Sequence, residues 1–547
     1  VVKRIIFFLP LLLSVQVMLS SCLSDHLDSD KPARITAPAG TFIGTELGKV
    51  FAFKGIPYAG PVDGDRRWLP PTPAKSLGGE FTAKEYGKPC YHLNAFSTEK
   101  DASDAFNGSA DCLNLNVWVP KPKGSETDKA ALPVMVFFYG GSFDSGSSAL
   151  SLYGLKLYDG AKLAAAGDVI VVSFNYRLGA FGFFKQEHLN GGTGSNPGVL
   201  DQIEALRWVQ NNIAAFGGNP KNVTAFGESA GAISICDLLT MPESESLIHK
   251  AILQSGSCSM LSPEAADRTA ASVLKKLKCD SGDASAQGAC MRSAAEKDIV
   301  LAQPALVFEG GEPLKLKFGP IVDGVVIKES PDTVVREKRH TKVPILIGTN
   351  AKELPAKKQP DSKDVWESFI KALAEKGTDE SARKVKLLYE QENRHGTYKN
   401  LIAELKTDMS FTCKARYFAN LFSENQTEPV WLYLFDKQVP FVGAWVEGSF
   451  HGMELFFLFQ HLPKWTAGMA GVGFELQKTM AEIWTTFAKT GQLPENDWSS
   501  EWKPYTSERR IAGVIGDFSG VLDDPRKEKC ELLEPFMLKD GDLGLTR

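Results

Sequence analysis

The segment Val223-Thr-Ala-Phe-Gly-Glu-Ser-Ala-Gly231 constrains this chain more than any other. A β-branched and aromatic run enters Gly-Glu-Ser-Ala-Gly, and a helix-compatible run, Ala232-Ile-Ser-Ile, leaves it. A Gly-x-Ser-x-Gly core between a strand and a helix places its serine on a tight turn, with the hydroxyl pushed into a cleft. A side chain at Gly227 or Gly231 would crowd that turn. The plain alternative is an ordinary Gly-Ser turn, but the flanking strand and helix favour Ser229 as a nucleophile.

The surrounding pattern fits that turn. Leu113–Val119, Val134–Phe138, Val169–Phe174, Val223–Phe226, Lys250–Leu253 and Val343–Gly348 read as strands. Tyr158–Ala166, Asp201–Phe216, Gly231–Leu239 and Pro263–Leu277 read as helices between them. Ile203, Leu206, Val209 and Ile213 fall at helical spacing. Such alternation predicts an α/β fold, a large and mostly parallel central sheet with helices on both faces. Unbroken apolar strands such as Val134-Met-Val-Phe-Phe suit a sheet covered on both sides. Residues 355–425 are polar and helix-rich, which suggests a helical cap region. Trp431–Phe435 reads as a late strand, Gly473–Lys489 as a late helix, and Lys49–Phe53 as part of a small antiparallel start.

The chain has 547 residues, 43% of them hydrophobic, so it can bury a sizeable core. Its length would allow several domains. No linker, repeat or low-complexity tract divides it, so residues 32–547 are read as one domain. A net charge of −5 without a basic run argues against a nucleic-acid partner. Lys3 and Arg4 precede a short apolar run interrupted by Pro10, Ser14 and Gln16, which resembles a signal segment over residues 1–21. Leu19-Ser-Ser-Cys22 looks like a bacterial lipobox. It would make Cys22 a lipidated N-terminus holding the protein to a membrane, with residues 22–31 as a tether. A plain secretory signal is the alternative.

Nine cysteines in an exported chain suggest disulfides, and Cys22 accounts for the odd count. Cys90/Cys112 and Cys279/Cys290 are close pairs that could each close a local loop. Cys236 and Cys258 lie on apolar elements and are expected to be buried free thiols.

A serine hydroxyl needs a base to take its proton and an acid to hold that base. In α/β-hydrolase order, both follow the nucleophile, acid first. Of His249, His340, His395, His451 and His461, the best placed is His451. It sits in the small-residue loop Gly448-Ser-Phe-His-Gly452 after a strand. His395 reads as solvated and His461 as a helix-end residue. Glu353 follows the strand and glycine of Val343-Pro-Ile-Leu-Ile-Gly and is the first candidate acid. Asp323 before Gly324 is the second, with a turn role as its alternative. Tyr139-Gly-Gly-Ser-Phe143 follows a strand where an oxyanion loop belongs. Backbone N–H groups of Gly141, Ser142 and Ala230 are the expected donors.

Together these residues closely resemble the type-B carboxylesterase/lipase family, which includes cholinesterases. The likeness runs through Phe53-Lys-Gly-Ile-Pro-Tyr-Ala59, Asp111-Cys-Leu-Asn-Leu-Asn-Val117, Ser173-Phe-Asn-Tyr-Arg-Leu-Gly-Ala-Phe-Gly182, Ala251-Ile-Leu-Gln-Ser-Gly256 and His451-Gly-Met-Glu-Leu455. It covers nearly all of the chain after the leader. The resemblance implies an α/β-hydrolase fold, with Ser229, Glu353 and His451 as triad and Gly141, Ser142 and Ala230 as oxyanion donors. It also implies disulfides Cys90–Cys112, Cys279–Cys290 and Cys413–Cys530, and a buried Arg177–Asp201 pair.

Some departures matter. Ser142 stands where the family usually has a third glycine, which narrows the acyl entrance. Ala110 stands where a glutamate usually pairs with an arginine, so Arg67 is expected to lack that partner. The Cys90–Cys112 loop has no tryptophan, which argues against choline esters.

The expected activity is hydrolysis of small carboxylic esters through an acyl-enzyme, with no cofactor and no metal. A rate rising through about pH 6–7 would mark an unperturbed histidine base. The competing readings are a non-catalytic adhesion or binding module of the same fold, and a lipase. The polar loop between Tyr91 and Asp111 argues against a lipase lid. The acyl pocket is expected to include Leu301–Phe308. The sequence leaves the substrate and the oligomeric state open.

Overall fold

A computed structural model describes residues 32–93, 106–122, 131–152, 155–304, 316–393, 396–437, 448–461, 472–495 and 499–537. The leader with Cys22, the tether, His395 and the later part of the expected acyl-pocket segment lie outside these residues. Among the described residues no helix is long and apolar enough to cross a membrane.

A 13-stranded sheet organises the chain. Its strands are β1 (Pro32–Ala37), β2 (Gly40–Leu47), β3 (Val50–Pro57), β4 (Glu80–Thr82), β5 (Asn114–Pro120), β6 (Leu132–Phe138) and β7 (Ile170–Phe174), then β8 (Gly218–Glu228), β9 (Lys250–Gln254), β10 (Ile345–Asn350), β11 (Val430–Asp436), β12 (Ile511–Gly516) and β13 (Gly520–Asp523). Spatial order is β1-β2-β3-β5-β7-β6-β8-β9-β10-β11-β12-β13, and β4 pairs with β2. From β7 to β12 every neighbour is parallel, and the outer pairs are antiparallel apart from β2/β4. The central strands are apolar on both faces because helices cover both. Val134 to Phe138 and Ile345 to Ile347 are fully buried.

Helices α1 (Ala161–Gly167), α2 (Pro197–Asn212), α3 (Ala230–Leu238) and α4 (Pro263–Lys276) lie between these strands in the chain. α2 starts earlier than the periodicity predicts, because Pro197 occupies its first turn. A 3-10 turn over Ile213–Phe216 follows, ended by Gly217 at φ 83°. The expected cap holds α5 (Lys363–Lys376), α6 (Asp379–Glu392), α7 (Tyr398–Thr407), a π-turn (Asp408–Thr412) and α8 (Cys413–Asn425). These helices are amphipathic and share a second apolar core around Trp366, Leu373, Tyr389 and Leu405. Late in the chain come α9 (Met453–Leu458), α10 (Val472–Thr490) and α11 (Lys527–Met537).

Two strand ends carry consequences. β8 runs on to Glu228, the residue before Ser229. β10 was expected to stop at Gly348, yet Thr349 and Asn350 pair with Leu434 and Phe435 of β11. Cross-strand pairing there overrides the poor strand propensity of asparagine.

Four disulfides join Cys90–Cys112, Cys236–Cys258, Cys279–Cys290 and Cys413–Cys530. The expectation of free thiols at Cys236 and Cys258 is wrong. α3 packs over β9, the parallel neighbour of β8, and this brings the two Cα atoms to 4.7 Å. The separation of 22 equals that of Cys90–Cys112, but here the end of α3 and the strand β9 intervene rather than a polar loop. Arg67 has no carboxylate at position 110, as expected, and pairs instead with Glu296 at 2.6 Å. Arg177 and Asp201 form a fully buried two-pronged pair at 2.6 and 2.7 Å.

Candidate active site

The parallel strands deliver their exit loops to one rim. Gly227 of β8 lies opposite Phe138 of β6, Glu228 opposite Gln254 of β9, and Asn350 of β10 opposite Phe435 of β11. Carboxyl ends of parallel strands are where α/β sheets open crevices for ligands.

Ser229 links β8 to α3 with φ 56° and ψ −123°, a conformation that non-glycine residues rarely adopt. Its N–H donates to Gln254 O at 2.8 Å, and its carbonyl accepts from Ile233 N at 3.0 Å. The two motif glycines make this turn possible. A Cβ on Gly231 would fall 1.9 Å from Phe138 O, and one on Gly227 2.6 Å from the same atom. The loop after β6 comes equally close, since a Cβ on Gly140 would lie 2.9 Å from Ser229 Cβ. Gly141 follows at φ 121°, then Ser142 at φ 57° and Phe143 at φ 64°. Two consecutive non-glycine residues in the left-handed region mark a held, strained loop. Ala230 is buried at the start of α3.

The second half of the rim is made of side chains. His451 Nδ1 lies 2.7 Å from Glu353 Oε2. The other carboxylate oxygen of Glu353 accepts from Asn350 N at 2.7 Å. The two loops also share backbone bonds, His451 N to Glu353 O at 3.1 Å and Lys352 N to Ser449 O at 3.3 Å. The far nitrogen of the imidazole, Nε2, stands 3.2 Å from Glu228 Oε1. Phe411 of the π-turn packs on the imidazole with ring centres 4.8 Å apart, and on Leu354 beside Glu353.

Three buried carboxylates therefore surround one imidazole. Glu454 of α9 is the third, fully buried, accepting from Asn350 Nδ2 at 2.6 Å and Gln254 Nε2 at 3.1 Å. Burial lowers the affinity of His451 for a proton, but Glu228, Glu353 and Glu454 together outweigh it and raise its pKa to about 9. Burial, reinforced by Glu454 and Glu353 against the opposing pull of His451, pushes Glu228 up to about 8. Burial and Glu353 push Glu454 up to about 7. A histidine in this setting holds its proton more tightly than the unperturbed base that the sequence suggested.

The remaining candidates fall elsewhere. Asp323 fastens a loop: one oxygen accepts from Val325, Val326 and Ile327 N–H groups, and the other from Ser195 N and Asn196 Nδ2. His461 holds Leu157 O at 2.7 Å, His340 bonds Gln426 at 3.2 Å, and His249 accepts from Val223 N at 3.3 Å. Sequence reasoning missed Glu228, Asn350, Phe411 and Glu454. The first and last stand inside recognised motifs, Gly-Glu-Ser-Ala-Gly and His-Gly-Met-Glu-Leu. Their carboxylates gave a signal that only burial makes meaningful.

The model of the Carboxylesterase family matches residues 31–532. The chain belongs to the carboxylesterase family. It is 35% identical over 515 residues to the para-nitrobenzyl esterase of Bacillus subtilis, covering 92% of this chain and 98% of that one. It is 33% identical to the fumonisin B1 esterase of Sphingopyxis macrogoltabida, covering 91% and 90%. A solved thermophilic PNB esterase superposes with a TM-score of 0.76 at 33% identity, over 91% of this chain and 99% of that chain. This carboxylesterase has the α/β-hydrolase fold and is a serine hydrolase acting on carboxylic esters.

Proposed function

We propose that Ser229 attacks the ester carbonyl, that His451 is its base and that Glu353 orients the imidazole. The observation that carries this is the Glu353–His451 contact of 2.7 Å, with Nε2 directed to the residue before Ser229. Glu353 fixes Nδ1 as the protonated nitrogen, which leaves Nε2 to accept the serine proton. The tetrahedral oxyanion forms against the N–H groups of Gly141, Ser142 and Ala230. His451 then returns its proton to the leaving alcohol, and water repeats the sequence on the acyl-enzyme. Residues 32–547 act as one catalytic domain.

The substrates are soluble esters with modest acyl groups, since Ser142 adds bulk beside the nucleophile. Four disulfides among the described residues support export to an oxidising compartment. The lipobox reading adds removal of residues 1–21 and a lipid anchor on Cys22. A fluorophosphonate probe tests the nucleophile: it labels the parent protein and fails to label Ser229→Ala. Labelling that persists in that variant refutes the assignment. Cys22→Ala should release the protein from membranes, and retention there refutes the anchor. A nitrophenyl ester series of rising acyl length gives the acyl preference.

A further inference from the structure

Asn350 is the last residue of β10, fully buried, three positions before Glu353. Its side-chain amide has two N–H donors and one carbonyl. Nδ2 gives both donors to the site, one to Phe450 O at 2.7 Å and one to Glu454 Oε2 at 2.6 Å. Those two acceptors fix which way the amide faces. Its oxygen is buried and accepts no hydrogen bond from the described residues, so the amide's polar contacts to the protein run through its two donors.

Phe450 immediately precedes His451, and Glu454 is held in turn by Gln254, whose carbonyl accepts from Ser229 N. One amide thus spans the acid strand, the histidine loop and the support beneath the serine. We propose that Asn350 is a positioning residue, whose amide sets where the imidazole stands against the Glu353 carboxylate and keeps Glu454 as an acceptor beside them. The inference rests on the reading of Glu353 and His451 as the proton relay.

Two substitutions separate this role from simple packing. Asn350→Ala removes both donors. Asn350→Asp keeps the shape but sets a carboxyl against Glu454. The titratable groups facing the imidazole are Glu228, Glu353 and Glu454, with the Tyr158 and Tyr433 phenols raised by burial close to those carboxylates. Without the Asn350 donor, Glu454 takes a proton more readily and one negative charge near His451 is lost. The acid limb of kcat/KM then moves to lower pH in Asn350→Ala and to higher pH in Asn350→Asp.

In both variants kcat falls by about 20-fold or more while KM changes by less than about threefold, because the loss is in alignment rather than binding. The low-field proton resonance of the His451–Glu353 contact moves in the same samples. A folded variant with kcat within about threefold of the parent, or with both pH limbs unmoved, overturns the proposal. So does failure of both variants to give a cooperative thermal transition, which would make Asn350 a folding determinant. His451→Ala is assayed alongside. Activity retained there defeats the relay reading itself, whereas an inactive His451→Ala beside an active Asn350→Ala defeats only the positioning role.

Discussion

The two halves of this rim are built from different materials. Around Ser229 the parts are backbone: a strained turn, glycines pressed against Phe138 O, and the left-handed loop after β6 that brings Gly140 close to Ser229. Around His451 they are side chains: Glu228 from β8, Asn350 and Glu353 from β10 and its exit loop, and Glu454 from α9. The first half cannot accept an added atom, because no rotation removes a Cβ. The second is limited by charge and by hydrogen-bond donors rather than by bulk, because each carboxylate is buried among the others. The serine half therefore responds to sterics and the histidine half to protons.

The comparison breaks most severely at the proposed nucleophile. Ser229→Ala should lower kcat by about 10⁴-fold or more, with an unchanged thermal midpoint, in a steady-state ester assay. Equal loss of stability would mean the serine is structural. Next comes Glu353→Gln, which keeps the volume but no longer holds the imidazole in one tautomer. About 10⁴-fold in kcat is expected, on the pattern of triad acids. Gly231→Ala sharpens the steric side: urea unfolding should show a loss of about 3 kcal/mol, since the new Cβ meets a main-chain oxygen. A fully stable Gly231→Ala would sink the claim that this half is shape-limited.

The charge side is tested by Glu228→Gln. As the proposed base, His451 would act only when unprotonated, so a pKa raised from 6.5 to about 9 should move the rise in activity upward in pH. Removing the Glu228 charge should bring that rise back down, read from kcat/KM against pH. A profile that does not move would remove Glu228 from the relay's electrostatics. The smallest effect expected is from Phe411→Leu, about 2–10-fold in kcat, through loss of one ring contact on the imidazole.

Legibility follows the same division. The turn at Ser229 could be read because a backbone-built turn demands glycines at fixed spacing, and glycines are visible in a sequence. The strand-helix alternation was readable from unbroken apolar runs and helical spacing, and the central strands stand within a few residues of their expected positions. Glu353 and Asp323 were harder to separate. Both follow apolar runs, and only the structure shows that Asp323 spends its oxygens on five nearby donors in loops. Asn350 was hidden because an asparagine ending a strand looks like a turn. Its two donations reach residues a hundred positions away. The Cys236–Cys258 bond was hidden because proximity between parallel neighbours is a property of the sheet, not of the chain.

Cys413 and Cys530 close a covalent ring 117 residues around, and His451 lies inside it. A protease that cuts this ring once leaves the imidazole-bearing segment covalently attached through one of its ends, so a nicked enzyme runs as one piece until a thiol reductant is added. Two cuts, or one cut plus reduction, are needed before that segment can drift away.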